Sequence, residues 1–156
     1  MSTVRNSDTT IAVVIYNWYC LRLRNEMVLD AREKKLVINH VNSANALKWI
    51  LIPNLTPGAS TGGYTIFNPG VGLAAQRPND VAQPILLDYG PTVYGSPSFC
   101  WTLWPGGSSG GEQLWMIQDS RRGPAMDTKE SCDAETEVLL LPFNARDNQK
   151  WVIRRL

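Results

Sequence analysis

The sequence lacks any long hydrophobic run. No stretch of about 18 apolar residues occurs in its 156 residues, so we expect no membrane-spanning segment and no membrane insertion. The first ten residues are polar and lack the apolar centre of a secretory signal. We therefore expect a cytoplasmic protein, a mature form whose signal has been removed, or a protein released without a conventional signal.

Cysteine and histidine are scarce. Cys20, Cys100 and Cys132 are odd in number and widely spaced, and no two of them form a CxxC pair. With His40 as the only histidine, this pattern predicts neither a disulfide framework nor a zinc site. His40 lies in an alternating apolar run and is interpreted as a packed or surface residue, not a catalytic partner of a cysteine. We expect no metal and no cofactor.

The sequence also has no large excess of positive or negative charge. Fifteen Lys and Arg residues face fourteen Asp and Glu residues, and the basic residues are scattered, so nothing indicates binding to nucleic acid. The acidic run Asp133, Glu135, Glu137 alternates with other residues, as solvated positions do. The sequence shows no acid and base with supporting groups, and we do not expect an enzyme.

Helix signals are poor, and the apolar runs are short and rich in Val, Ile, Tyr, Trp and Leu. Clusters of Gly, Pro, Asn and Ser interrupt these runs at intervals of about 8–12 residues, which is typical of an all-β barrel. The one helix-friendly stretch, residues 31–35, is too short to stand alone and is interpreted as a charged hairpin turn.

The sequence does contain a repeated pattern with a period of about 50 residues. Each of three tryptophans closes a segment that opens with a similar strand 34 or 35 residues earlier; the strand and tryptophan pairs are Ile15 with Trp49, Ile66 with Trp101, and Ile117 with Trp151. The tryptophans are 52 and 50 residues apart. A fixed period is typical of a supersecondary unit that packs against its own copies.

We therefore expect one domain over residues 1–156, with repeats at about 11–53, 64–105 and 114–156, named here the first, second and third unit. Four strands in each unit would give twelve short strands, and the tryptophans would meet in a shared core. The Gly- and Ser-rich joints at 54–63 and 106–111 are predicted to be flexible surface loops.

The third unit ends with Asp147-Asn148-Gln149-Lys150-Trp151 followed by Val-Ile. Three Gln-x-Trp motifs about 50 residues apart mark the ricin-B-like family, and this segment resembles the small lectins of mushroom fruiting bodies. The resemblance implies an all-β, β-trefoil fold of three repeats and twelve strands. Where the third unit has Asn148-Gln149, the other units have Ala46-Leu47 and Ser98-Phe99, so the motif is degraded there.

The resemblance also implies how a sugar would be bound: by an acid early in the repeat, an aromatic platform, and the amides before the tryptophan. Carboxylates accept hydrogen bonds from sugar hydroxyls, amides donate and accept, and an aromatic ring packs on the sugar's C–H face. In the third unit Asp127, Asn148 and Gln149 match. Leu141 occupies the expected platform position, a departure for which Phe143 would substitute.

When the first and third units are laid together without a gap, Asn25 falls opposite Asp127, and the second unit has Gln76 there. Neither of these residues is an acid, so the third unit is the best candidate. The alternative is purely structural: Asp127 holds a turn, and the two amides tie the last link to neighbouring backbone.

A possible second site involves Tyr94, Phe99 and Trp104, around the Gly- and Pro-rich loop 90–97. Some fungal trefoil lectins bind through aromatics near this segment, and exposed rigid aromatics suit a glycan or a protein partner. The alternative is that these side chains plug the ends of the barrel.

The sequence thus predicts a defensive lectin that binds glycans or glycoproteins through one or two shallow sites, without catalysis. A single shallow site binds weakly, so avidity calls for a second site or a homodimer. The alternative function is a protease inhibitor of the fungal trefoil kind. There, rigid Gly- and Pro-rich loops, here 53–63, 90–97 and 105–111, would enter the protease cleft.

Overall fold

The computed structural model describes residues 10–54, 63–89, 97–119 and 123–156. Within these ranges the chain is all-β, as predicted, with thirteen strands instead of the twelve expected. The strands are β1 (Ile11–Asn17), β2 (Met27–Arg32), β3 (Lys35–His40), β4 (Trp49–Pro53), β5 (Tyr64–Asn68), β6 (Leu73–Gln76), β7 (Leu86–Asp88), β8 (Thr102–Ser109), β9 (Glu112–Gln118), β10 (Ala125–Asp127), β11 (Thr136–Glu137), β12 (Leu139–Leu141) and β13 (Trp151–Arg155). A four-residue helix, α1 (Trp18–Leu21), and two 3-10 turns, Pro97–Phe99 and Asp147–Gln149, complete the described elements.

Six of the strands form a closed barrel. Strand β1 pairs with β4 and β13, β4 pairs with β5, and β13 pairs with β9, which pairs with β8. The ring closes where Tyr64 and Trp101 exchange two backbone hydrogen bonds, each 2.8 Å long. Closure pairs the barrel strands on both sides, which a sheet with open edges does not achieve.

Three hairpins complete the fold: β2–β3, β6–β7 and β10–β12. They are also joined to one another. Strand β3 pairs with β7 and with the short β11, which lies between β10 and β12 in sequence, and Pro84 forms a bridge to Leu139. The buried residues of barrel and hairpins form one hydrophobic cluster, which includes Trp49, Trp101 and Trp151, each fully buried. The expected shared tryptophan core is confirmed.

Each of these tryptophans makes the same hydrogen bond. The indole Nε1 donates to a backbone carbonyl of the hairpin in its own unit: Trp49 to Leu29 at 3.0 Å, Trp101 to Ala75 at 3.0 Å, and Trp151 to Met126 at 3.3 Å. A buried indole N–H needs an acceptor, and here the acceptor ties a barrel strand to a hairpin strand. The bonds support the division into units at 11–53, 64–105 and 114–156, which stays a prediction.

These bonds correct the alignment of the first and third units. The acceptor precedes the tryptophan by 20 residues in the first unit and by 25 in the third. The first unit is therefore about five residues longer before its hairpin, where α1 lies, and about five shorter after it. The two differences cancel over the whole unit, so the equal spacing from Ile15 and Ile117 to the tryptophans concealed them.

Of the two joints between units, the structure describes the second, at residues 106–111. Residues 106–109 belong to strand β8, and only Gly110 and Gly111 form the turn to β9, with φ of +58° and +81°. The prediction of a loop at 106–111 was therefore wrong for most of its length, because glycine and serine also occur in paired strands. Residues 55–62 lie outside the described ranges.

The charged hairpin turn is confirmed: Arg32 pairs with Lys35 across Glu33 and Lys34.

The prediction that no disulfide framework exists was wrong in one respect. Cys20 in α1 and Cys132, between β10 and β11, are bonded, with Cα atoms 5.7 Å apart. The two residues are 112 positions apart in sequence, so no spacing motif announces the pair. Cys100 is free and half-buried. Such bonds persist in oxidising compartments, which does not favour the expected cytoplasmic location; that location stays a prediction.

Among the described residues, no helix has the length and apolar character needed to span a membrane.

Replacing Cys20 and Cys132 together by serine should lower the free energy of unfolding by roughly 2–5 kcal/mol, because the bond closes a long loop and restricts the unfolded chain. Urea unfolding measures the loss, with Cys100→Ser as the single-thiol control. Peptide mapping without reductant should recover a peptide pair that joins Cys20 to Cys132. A map in which both cysteines are free would show that the bond does not form.

Candidate functional site

The structure brings together three of the residues that the sequence singled out in the third unit. Asp127 ends β10, and Asn148 and Gln149 lie in the 3-10 turn before β13. Asn148 Nδ2 donates to Asp127 Oδ1 at 2.5 Å, and Gln149 Nε2 donates to Asp127 Oδ2 at 3.0 Å. The backbone N–H of Lys129 donates to Oδ1 at 2.7 Å. The carboxylate is therefore held by three donors, two of them side-chain amides.

Gln149 continues this network to the end of β12. Its Nε2 also donates to the carbonyl of Pro142 at 2.9 Å, and its Oε1 accepts from the backbone N–H of Asn144 at 2.9 Å. Gln149 is fully buried. It therefore fixes the segment that carries Phe143 relative to Asp127.

Asn148 is the one member of the network with an unused group. Its Nδ2 must face Asp127, because a carboxylate only accepts, so its Oδ1 is directed elsewhere. That oxygen is buried and has no hydrogen-bond partner among the described residues. Asn148 is 5% exposed and Asp127 1%. A buried acceptor without a donor is costly, which makes this oxygen the natural point for a ligand hydroxyl or a water.

Phe143 lies two residues beyond β12 and is 41% exposed. The strand register also corrects the platform position: Leu139 lies directly opposite Asp127, whereas Leu141 lies opposite Ala125. Both leucines are half-buried. Neither leucine is aromatic, so the platform position lacks an aromatic ring whichever of the two residues occupies it. Phe143 is the exposed aromatic close to the network in sequence.

The first unit contains an acid that the gapless alignment missed. Asp30 follows Leu29, the carbonyl acceptor of Trp49, as Asp127 follows Met126, the acceptor of Trp151. Asn25, which the sequence comparison placed opposite Asp127, is therefore not the equivalent residue. Asp30 is fully buried and accepts four hydrogen bonds of 2.8–3.3 Å; the donors are the side chain of Asn39 and the backbone N–H groups of Ala31, Asn45 and Ala46.

Asp30 and Asp127 occupy equivalent positions but differ in which groups donate hydrogen bonds to them. The link into the tryptophan strand donates through the backbone N–H groups of Asn45 and Ala46 in the first unit, and through the side-chain amides of Asn148 and Gln149 in the third. Gln76 follows Ala75, so the expected second-unit equivalent was right, and it is not an acid. A signal was present in the sequence: an apolar residue followed by Asp occurs at 29–30 and at 126–127.

The possible second site is not assembled in the same way. Phe99 is 2% exposed, in the 3-10 turn before Trp101, which agrees with the interpretation of these aromatics as plugs. Trp104 is half-buried in β8, opposite Met116. Tyr94 lies outside the described residues. Binding at this surface stays a prediction, and it would require Phe99 to move.

The remaining candidates for catalysis or metal binding are dispersed. The Nδ1 atom of His40 accepts a hydrogen bond from the backbone of Asn42 at 3.2 Å. Among the described residues, no group of three or more His, Cys, Asp and Glu side chains is arranged to hold a metal.

Solved structures identify the architecture. The ricin-B-like lectin of Macrolepiota procera, solved with lactose, aligns over 99% of this chain and 100% of its own, at a TM-score of 0.68 and 18% identity. The Rhizoctonia solani agglutinin aligns over 98% and 100%, at 0.68 and 16%. This chain has the β-trefoil fold of the ricin-B-like lectins. The trefoil matches no protein-family model and no curated protein.

The trefoil fold alone does not decide the function. An exo-β-1,3-galactanase from Clostridium thermocellum aligns over 94% of this chain but only 30% of its own length, at a TM-score of 0.67 and 14% identity. The same fold thus occurs within an enzyme of greater length as well as in lectins. Function has to be argued from the residues of the trefoil's own sites.

Replacing Asp30 or Asp127 by Asn should destabilise the trefoil to a similar extent, roughly 2–4 kcal/mol each. Each change removes a charge that accepts several hydrogen bonds and brings an NH₂ group against N–H donors. Urea unfolding is the measurement, and the exposed Asp133→Asn is the matched control, expected to be neutral. An Asp30→Asn variant as stable as the parent would show that the carboxylate does not hold the link.

Proposed function

We propose that this protein is a lectin that binds glycans without catalysis, with its principal site in the third unit. Its fold is that of the ricin-B-like lectins. The observation that carries the proposal is the unpartnered Oδ1 of Asn148 beside the buried Asp127. The link before the tryptophan strand of the first unit uses backbone donors to the same end, so the amide pair in the link of the third unit is more than the fold requires.

The roles proposed for the residues rest on their burial. Asp127 is a positioning residue, because its carboxylate is 1% exposed and already accepts three hydrogen bonds. Asn148 Oδ1 accepts from a sugar hydroxyl, and Phe143 packs on the C–H face of the same sugar. Gln149 holds the Phe143 segment in place. Access to the Asn148 oxygen requires the rim of the site to move, since the atom is buried.

A site of this kind binds weakly. One accepted hydroxyl and one stacked ring correspond to a dissociation constant of roughly 1 mM, or about −4 kcal/mol. Useful avidity then comes from several sites on one molecule or from a homodimer. Glycoproteins that display repeated glycans are the partners that fit, and a defensive role remains part of the proposal.

No described feature favours the protease-inhibitor alternative. Residues 90–96 and 55–62, which belong to two of the predicted inhibitory loops, lie outside the described ranges. The third predicted loop, 105–111, is mostly strand β8 with a two-glycine turn. Inhibition is therefore kept as the function to test if no glycan binds.

Replacing Phe143 by Ala should weaken lactose binding about 3- to 10-fold, the loss expected for one ring–sugar contact. Lactose is the first probe because the Macrolepiota lectin was solved with it. The free energy of unfolding should not change, because Phe143 is 41% exposed. The matched control is Tyr89→Ala in the second unit, a still more exposed aromatic at 62%. Equal affinity in parent and Phe143→Ala protein would remove Phe143 from the site.

A glycan array with the parent protein and Asn148→Ala tests the site as a whole. Binding should disappear in Asn148→Ala, while Asp30→Asn, which disturbs only the first-unit network, should still bind at a temperature where it is folded. Binding that persists in Asn148→Ala would place the site elsewhere. An array with no signal would overturn the lectin proposal and direct the work to serine, cysteine and aspartic protease assays.

A further inference from the structure

The disulfide joins the first and third units beside the Asp127 network. It links Cys20, in the insertion α1 of the first unit, to Cys132, which follows shortly after β10 in the third. The segments that carry the two cysteines also contact the network from opposite sides, as the next contacts show.

Helix α1 is fastened to the 3-10 turn that carries the two amides of the network. The backbone N–H of Trp18 donates to the carbonyl of Lys150 at 2.9 Å, just past that turn. Nε of Arg22 lies 3.1 Å from Oδ2 of Asp147, the first residue of the turn. The guanidinium of Arg22 also stacks on Tyr19, with its carbon 4.7 Å from the ring centre. The position of the 3-10 turn is therefore tied to that of α1.

The other cysteine follows a turn with an unfavourable backbone. Lys129 and Glu130, neither of them glycine, have φ of +54° and +62°. This left-handed region is costly for residues with a Cβ, so two in succession need support from their surroundings. The support lies at both ends of the turn: the N–H of Lys129 donates to Asp127 Oδ1 at 2.7 Å, and Cys132 is bonded to Cys20.

These contacts form a closed circuit around the network. From Cys20, α1 leads to the 3-10 turn, whose amides donate to Asp127. Asp127 accepts in turn from Lys129, and the chain then runs on to Cys132. The disulfide closes the circuit covalently, so the two sides of the network are held together while the bond is intact.

The Asp30 network of the first unit provides an internal reference. Its carboxylate accepts from the backbone N–H groups of Ala31 and Ala46, and its hairpin is paired from Met27–His40 to Arg32–Lys35. No cysteine occurs between Asp30 and the tryptophan of the unit. An effect of the disulfide on the site should therefore be stronger at Asp127 than at Asp30.

The bond is open to reduction from the Cys132 side. Cys20 is fully buried, whereas Cys132 is half-buried, so a thiolate of a dithiol attacks the sulfur of Cys132 and displaces Cys20, which takes up a proton. The second thiol of the reductant then attacks the mixed disulfide and releases Cys132 as a thiol, and the dithiol becomes a disulfide. The sulfur of Cys20 lies 3.6 Å from the carbonyl oxygen of Ser131, so its new S–H has an acceptor in place.

We propose that this disulfide is a redox switch for the third-unit site. With the bond intact, the turn at Lys129 and Glu130 keeps its donor on Asp127, and the site has its full affinity. Reduction lets the turn relax toward an unstrained backbone, withdraws that donor and loosens the 3-10 turn that carries Asn148. Glycan is then bound in oxidising surroundings and released in reducing ones. The effect on affinity rests on the function proposed above, whereas the effect on the turn does not.

The first test needs no ligand. Amide hydrogen exchange is followed by NMR in Cys100→Ser protein, oxidised and then reduced with dithiothreitol, at a temperature where both forms are folded. Exchange at Lys129 and Asn144, whose N–H groups bond within the Asp127 network, should accelerate on reduction. It should accelerate more than at Ala31 and Ala46, which report on the Asp30 network and on any loss of stability of the whole domain.

The second test is a lactose titration of the same two forms. Reduction should weaken binding about 3- to 10-fold, because the affinity falls in proportion to the fraction of molecules with an ordered site. The double variant Cys20→Ser, Cys132→Ser should bind like the reduced protein and should not respond to dithiothreitol. Reoxidation of the reduced protein should restore the parent affinity.

Arg22→Gln tests the contact through α1 while the disulfide stays intact, and it should weaken lactose binding in the oxidised protein. The matched control is Arg154→Gln. Arg154 likewise stacks on a tyrosine, Tyr16, at 4.7 Å and pairs with a carboxylate, that of Glu112, at 2.7 Å. Its loss should leave lactose binding unchanged, because this cluster lies away from the circuit.

Exchange at Lys129 and Asn144 that rises no more than at Ala31 and Ala46 would overturn the proposal, because reduction would then lower only the stability of the whole domain. Equal lactose affinity in the oxidised and reduced forms would overturn it as well. If exchange rises selectively but the oxidised protein binds no lactose, the coupling of bond and turn stands, and the function proposed for the third unit fails for this sugar.

Discussion

The rest of the structure depends on the need of three buried indole N–H groups for an acceptor. A tryptophan in the barrel core brings a large apolar surface and one donor that is costly to bury without an acceptor. Each indole finds a carbonyl in the hairpin of its own unit, which fixes the hairpin on the barrel. The residue after that carbonyl then occupies a set place, and in two units it is an aspartate. The position of the candidate site therefore follows from the packing of the core.

The two aspartates show how one structural need can be met in two ways. Around Asp30, the link into the tryptophan strand turns its own backbone N–H groups toward the carboxylate. Around Asp127, the corresponding link presents the side chains of Asn148 and Gln149. The first solution leaves no acceptor over, whereas the second leaves the Asn148 oxygen without a donor. The binding capacity proposed for the third unit lies in that difference.

The sequence predicted the features that carry a period. The tryptophan spacing predicted the shared core and the all-β class, and the Gln-x-Trp motif predicted that Asp127, Asn148 and Gln149 belong together. It did not predict Asp30, because an insertion around α1 and a shorter link cancel within the first unit. It did not predict the bond between Cys20 and Cys132, because contact across 112 residues is set by the fold and not by local spacing. It did not predict the second half of strand β8, because a segment rich in Gly and Ser is typical of a loop unless its partner strand is known.

A chain built of similar units supplies its own internal control. If a polar group were needed for the fold, its counterparts would be expected to make the same hydrogen bonds, as the three indoles do. Asn148 and Asp119, which stands where the first two units have Asn17 and Asn68, depart from their counterparts, and each leaves an oxygen buried without a described donor. One such group costs on the order of 1–3 kcal/mol, a large fraction of the stability of a small domain. Ala46 occupies the position of Asn148 without this cost, whereas Asn17, like Asp119, leaves a buried polar atom without a described partner. The comparison between units therefore supports the proposed ligand at Asn148 and not one at Asp119.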